Sequence, residues 1–384
     1  MCANCELVKK IMSENKGTLL SIHYLRGIAC LAVVFFHYRG LLNNTYTQQN
    51  LGDLLFEGGY FGVDIFFMLS GFVIVLSTTR DHSSINFIIR RVLRLYPVYI
   101  VCLALFAYVY FINKPVDIRL IKSALLLPFD FNAEAPYYGF SLIYTAWTLT
   151  YEVCFYFIFL ISMCISGKFR TYICSAIIIS MVYALNIYIN GDLSFASNSS
   201  LQFSAKSSVQ GIVKIFASPM LFEFVYGMIL CELYLKIKHL QLKSYKVATL
   251  ILLLAIAFSL FSYGSRYNGS HGILNVGVHC MILMFAMVFF ELVKGMKVIK
   301  PLIFLGDISY SLYLIHPMLM DTLYTPGFSF APFDFATGFS KFFLALTMAI
   351  TISYVAYVLI EKPGQNLGKK IIKTIHKKKE LAAS

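Results

Sequence analysis

The sequence predicts an all-α polytopic membrane protein of about ten transmembrane helices with both termini cytoplasmic. Composition is the first reason. Of the 384 residues, 59% are hydrophobic and only 13% charged, where a soluble domain carries about 25% charged residues. With a mean hydropathy of +0.73, the chain cannot cover itself with polar surface, so lipid must cover it. The second reason is the recurrence of spanning-length apolar runs from end to end. The third is the placement of the basic residues between those runs.

A spanning helix needs about 20 mostly apolar residues. Such runs fall at 18–38, 59–77, 92–112, 142–164, 171–190, 215–235, 247–264, 272–292, 302–323 and 341–360. The first follows Lys9, Lys10 and Lys16, as in a signal peptide. It is long, contains Arg26 and lacks a small-residue cleavage site, so it reads as a spanning helix. The longer polar spacers are 41–58, 113–141 and 191–214; the second holds Pro115, Pro128 and Pro136 and has room for a re-entrant piece or short surface helix. No internal repeat of the kind that builds many transporters is visible.

With the N-terminus inside, the cytoplasmic segments hold Lys9, Lys10 and Lys16, the Arg80–Arg94 group, Lys168 and Arg170, Lys236 to Lys246, Lys294 to Lys300, and Lys362 to Lys379. The outside segments hold only Arg39, Lys114, Arg119, Lys122, Lys206, Lys214, Arg266 and Lys341. This asymmetry sets the orientation. It divides the chain into a cytoplasmic segment over 1–17, a transmembrane domain over 18–362 and a basic cytoplasmic tail over 363–384. It also assigns the net charge of +13 to an anionic leaflet, so no nucleic-acid partner is needed. The nine cysteines lie mostly in apolar runs and form no disulfide framework. Cys2 and Cys5 are a lone CxxC without a second ligand pair, and no metal site is expected.

Charged groups at bilayer depth cost about 2.5–3.5 kcal/mol each, so they need a reason. Arg26 and His37 are eleven residues apart, which puts them on one helix face about 16 Å apart along the axis. An arginine paired with a buried carboxylate and an interfacial histidine is the plain alternative. Asp64, in Gly62-Val63-Asp64-Ile65-Phe66-Phe67-Met68-Leu69-Ser70-Gly71, falls at a depth similar to His37 and is the expected carboxylate partner of that histidine. Gly62, Ser70 and Gly71 would let helices approach closely. Arg90, Arg91 and Arg94 crowd the cytoplasmic mouth of the third run, either as topology anchors or as planar forks for phosphate oxygens. Trp147 reads as an interface anchor and a substrate contact, with Glu152 inside it in the outer half as a second acceptor-site carboxylate. Tyr310 and His316 are further candidate substrate contacts, with a kink at Pro317. Glu223 and His279 read as internal partners.

Together these residues resemble acyltransferase family 3. The marks are Arg26 and His37 with ten residues between, Gly-Val-Asp-Ile-Phe-Phe-Met-Leu-Ser-Gly at 62–71, Arg-Arg-Val-Leu-Arg-Leu-Tyr-Pro at 90–97, Trp-Thr-Leu-Thr-Tyr-Glu at 147–152 and Gly-Asp-Ile-Ser-Tyr-Ser-Leu-Tyr-Leu-Ile-His-Pro at 306–317. The resemblance covers about 20–365. It implies ten core helices in a bacterial inner membrane and acetyl transfer from cytoplasmic acetyl-CoA to a hydroxyl of a surface polysaccharide (O-antigen, capsule or exopolysaccharide) or a lipid-linked glycan. On that reading His37, Asp64 and Glu152 are catalytic, and Arg26, Arg90, Arg91 and Arg94 bind the donor. The rival from a different class is a proton-coupled transporter or flippase using His37, Asp64 and Glu152 as a relay.

Overall fold

The computed structural model describes residues 19–240, 244–267, 269–328 and 330–383, so Cys2, Cys5, Lys9, Lys10 and Lys16 lie outside the described residues. Every regular element among the described residues is a helix. The long ones are α1 (Leu20–Tyr38), α2 (Phe61–Ser77), α3 (Ser84–Phe111), α4 (Trp147–Ile165), α5 (Arg170–Asn190), α6 (Ser208–Phe216), α7 (Leu221–Ile237), α8 (Tyr245–Ser265), α9 (Val276–Lys294), α10 (Lys300–Tyr324), α11 (Gly338–Ala356) and α12 (Lys362–Ala383). Nine helical segments are long and apolar enough to cross a bilayer among the described residues. A tenth arises if α6 and α7, bent by 48°, form one broken span.

All ten apolar runs become helix, with three instructive differences. The third starts at Ser84 rather than 92, because Ser83 caps it by accepting from the Asn86 N–H. The sixth breaks where Ala217–Met220 separates α6 from α7, and Pro219 in that break has no N–H for a helix. The last does not stop at 360: a π-helical turn, Tyr357–Glu361, joins α11 to α12, so the expected tail is helical. Ile118–Ala124 supplies the short helix for which the 113–141 spacer had room, capped by Asp117.

Two helix pairs form the centre. α1 lies on α10 and α2 on α7, both through glycine. A Cβ on Gly27 would stand 2.9 Å from the Gly306 nitrogen, and one on Gly227 would stand 1.9 Å from the Met68 carbonyl. Gly71 is equally committed, 2.1 Å from the Phe224 carbonyl. In lipid, helices associate by such close packing rather than by hydrophobicity. Gly62 and Gly71 thus do what the sequence suggested, whereas Ser70 spends its hydroxyl on Glu152.

The bundle has two distinct ends. At the basic end, where α1 begins, Glu291 of α9 accepts from the Leu20 and Ser21 N–H groups at 2.8 Å each. A carboxylate there satisfies orphan donors and opposes the helix dipole. At the far end, Arg39 pairs with Asp53 and Arg266 with Glu57.

Candidate active site

The deciding pair joins α1 to α10. His316 Nε2 lies 3.0 Å from His37 Nδ1, and His316 Nδ1 lies 2.9 Å from the Leu312 carbonyl oxygen. A carbonyl only accepts, so the His316 proton sits on Nδ1. His316 Nε2 is then an acceptor and His37 Nδ1 must donate to it. That leaves His37 Nε2 without a proton. The Leu312 carbonyl therefore sets the tautomer of His37, two rings away, and makes its outer nitrogen a base. Pro317 helps hold this geometry. It has no N–H for the Tyr313 carbonyl, and that oxygen is taken by the Thr145 hydroxyl at 3.3 Å. The Tyr38 hydroxyl donates to the His316 carbonyl at 3.0 Å.

Asp64 is not the partner of His37. It is completely buried, with Oδ2 2.7 Å from His271 Nδ1 and Oδ1 accepting from the Gly272 N–H at 2.9 Å. Both oxygens face the loop between α8 and α9, because α2 turns that side away from α1. The result is a second oriented imidazole, His271, whose Nδ1–H goes to a carboxylate.

Glu152 is displaced from its expected place as well. It accepts from the Ser70 hydroxyl at 2.8 Å and from the Tyr156 hydroxyl. It lines a central passage with Arg26, Arg94, Ser309, Tyr310 and Tyr313, not the far-end chamber. The reason is rotation: Trp147 and Glu152 are five residues apart, about 140° around the helix, so they cannot share a chamber wall. Trp147 itself is buried between the rings of Phe67, Tyr137, Tyr151 and His271. It is an internal wall of the far chamber, not an interface anchor.

The arginine cluster divides. Arg90 pairs with Asp81. Partial burial pushes the Asp81 carboxyl up, but the Ser83 N–H, Asn86 and Arg90 outweigh it and hold the carboxyl below its ordinary range. Arg91 is buried, donates to the Ser77 hydroxyl at 2.8 Å and lies over the Phe87 and Tyr156 rings. Arg94 points inward. With Arg26 it lines both the central passage and a cavity of about 490 Å³ at the basic end. Neither Arg26 nor Arg94 donates a hydrogen bond to protein among the described residues, though Glu152 and Glu361 are near enough to act on both charges. Two guanidinium groups without a hydrogen-bonded protein partner among the described residues, inside a lipid-embedded bundle, suit a polar or anionic occupant of the spaces they line.

Three spaces follow one another. The basic-end cavity shares Arg26, Val73 and Arg94 with the narrow central passage. The passage shares Val63 and Tyr313 with a far-end chamber of about 630 Å³ lined by His37, Tyr60, Tyr137, Tyr144, Trp147 and His271. Tyr313 stands at the second junction, its hydroxyl 2.9 Å from Thr148 Oγ1 and 3.0 Å from the Thr145 carbonyl, to which it donates. Tyr310 donates to the Leu95 carbonyl at 2.8 Å and lines the passage. His271, Tyr313 and Glu361 were not singled out from the sequence. His271 sits in a loop without periodicity, and Glu361 lies one residue past the last apolar run.

Residues 19–358 match a family described as an acyltransferase domain. The chain belongs to acyltransferase family 3. It is also similar to the exopolysaccharide production protein ExoZ of Rhizobium meliloti (strain 1021), with 25% identity over 325 residues, 82% of this chain and 92% of that protein. No solved structure matches it. The family assignment makes this bundle a membrane acyltransferase, and it covers α1 to α11 while leaving α12 outside.

Proposed function

We propose that this acyltransferase moves an acetyl group from acetyl-CoA, taken up at the basic end, to a sugar hydroxyl in the far-end chamber. The observation that carries the reading is the succession of three spaces, guanidinium-lined at one end and imidazole-lined at the other. The thioester would reach through the central passage past Arg26 and Arg94, and the acceptor would occupy the aromatic chamber. The similarity to a protein named for exopolysaccharide production favours a surface polysaccharide, or a lipid-linked precursor of one, as acceptor. We further propose a bacterial inner membrane, with the basic end cytoplasmic in keeping with the distribution of Lys and Arg.

In the reaction, His37 Nε2 takes the proton of the acceptor hydroxyl as its oxygen attacks the thioester carbonyl carbon. The carbon–sulfur bond then breaks, and the imidazolium returns the proton to the departing thiolate. The products are the acetyl ester and free CoA. His316 accepts the His37 Nδ1–H throughout and steadies the positive ring, a positioning role. Asp64 fixes His271 so that its Nε2 can accept from another sugar hydroxyl, while Trp147 and Tyr137 offer ring faces to the pyranose. Glu152 belongs to the donor side on this reading, balancing Arg26 and Arg94.

The experiment is label transfer. Purified protein given acetyl-CoA labelled in the acetyl group should place label on a polysaccharide from cells lacking the gene. Label that stays on CoA with every glycan offered rejects the acceptor class. The His271→Leu variant should raise the acceptor KM by roughly tenfold, the worth of one lost hydrogen bond to a buried group, and leave the donor KM unchanged. An equal change in both constants would remove His271 from the acceptor site.

A further inference from the structure

The C-terminal helix lies beyond the residues that the family match covers, yet its Gln365 reaches the donor-side cavity. Gln365 lines that cavity with Tyr357 and Glu361 of the π-helical turn and with His23, Arg26, Arg94 and Asp307. Gln365 Nε2 donates to Glu361 Oε1 at 3.2 Å, and Glu361 Oε2 accepts from Ser311 at 2.6 Å.

α12 is fastened along α3 rather than hanging free. Pro97 has no N–H to give the Leu93 carbonyl, and Gly364 packs on that oxygen, where a Cβ would stand 2.9 Å away. Gly368 continues the contact along Leu93 and Ile89. Ile372 is buried, and Asn86 Nδ2 donates to His376 Nε2 at 3.0 Å. The helix therefore runs from the depth of Pro97 out to the start of α3.

Its faces are sorted. At about 100° per residue, Lys369 and Lys373 lie roughly 40° and 80° from Gln365 in one sense, while Leu367 and Ile371 lie roughly 160° and 120° away in the other. Leu367 and Ile371 are exposed and apolar, which marks the lipid side. Lys369 and Lys373 are exposed, and neither has a hydrogen-bonded or ion-paired partner among the described residues. Lys369 and Lys373 thus lie on the Gln365 side of the helix, beyond the point where Gln365 lines the cavity, and away from Leu367 and Ile371.

The donor needs cations there. A CoA thioester has an uncharged arm and a polyanionic 3′-phospho-ADP head. The arm suits the cavity, but the head must stay at its mouth. Within the Arg90–Arg94 cluster, Arg90 is matched by Asp81 and Arg91 is buried against Ser77 and Tyr156. Arg94 lies deeper, with Arg26.

We propose that Lys369 and Lys373 bind the phosphates of the donor, so that α12 is the polyanion-binding wall of the donor site. This rests on the thioester-donor reading above. Acetyl transfer by the full chain in neutral phosphatidylcholine nanodiscs tests it, using acetyl-CoA and S-acetylpantetheine, which has the same arm without the phosphates. In the Lys369→Gln, Lys373→Gln double variant, the KM for acetyl-CoA should rise roughly three- to tenfold, as expected for two exposed charge contacts. Both the KM for S-acetylpantetheine and kcat should hold. An unchanged acetyl-CoA KM, or equal changes for both donors, overturns the assignment. An effect that emerges only when phosphatidylglycerol is added gives the lysines to lipid headgroups and also overturns it. Wild-type protein that transfers from neither thioester would reject the donor reading itself, before any substitution is made.

Discussion

His37→Ala should lower acetyl transfer by about 10²–10⁴-fold, the range for loss of a positioned general base, with expression and detergent stability preserved. The stability expectation follows from where the ring sits. His37 lines the far chamber and its ring hydrogen-bonds to His316, so alanine removes no interhelical glycine contact. The loss should fall on kcat, with the KM of both substrates nearly unchanged, because the base acts on the proton in flight. His316→Ala should give a smaller loss of the same kind. It removes the acceptor that fixes the tautomer of His37 but leaves the base. The double variant should be no worse than His37→Ala alone, since the two rings act as a unit. Steady-state kinetics on the four proteins decides the matter. Additive losses would mean that the two histidines do separate jobs.

Arg94→Ala should raise the donor KM and lower kcat/KM by about thirtyfold, equivalent to about 2 kcal/mol for a charge-assisted contact in a low-dielectric passage. Arg26→Ala should do the same, and free CoA should inhibit both variants less well. The expectation rests on the absence, among the described residues, of any hydrogen bond from these two guanidinium groups to protein, although both line the passage. Arg90→Ala should differ. Its partner is Asp81 on the rim, a half-exposed pair worth only about 1 kcal/mol. Measuring CoA inhibition of all three variants separates donor-binding arginines from those that only hold the mouth together. Equal effects from Arg90 and Arg94 would return the whole cluster to a role in topology.

Much of the fold was legible because the bilayer imposes it. Backbone groups in lipid must be satisfied within a helix, so an apolar run of sufficient length has one available structure, and ten runs became helices. The misplacements share a cause. Depth along a helix can be read from a run's boundaries, but rotation cannot be read until the neighbours are known. The run boundaries place Asp64 and His37 at one depth and so predict contact; α2 instead turns Asp64 to His271, 207 residues away in sequence. Sequence proximity sets Glu152 beside Trp147, but five residues of helix carry it to another cavity. The arginine cluster read as one clamp, yet its members point to Asp81, to Ser77 and to the central passage.

By itself, the sequence determined the membrane class, the positions of the spans, the family and the chemical inventory of the site, because hydrophobic run length and ordered motifs are properties of the chain. Only the tertiary structure decided which imidazole meets which. It paired His37 with His316 and Asp64 with His271, and it brought Gln365, past the last apolar run, into the lining of the basic-end cavity. Those outcomes depend on helix rotation, set by glycine contacts such as Gly27 on Gly306 and Gly227 on Met68, and no periodicity within one helix encodes the angle at which a distant helix will arrive.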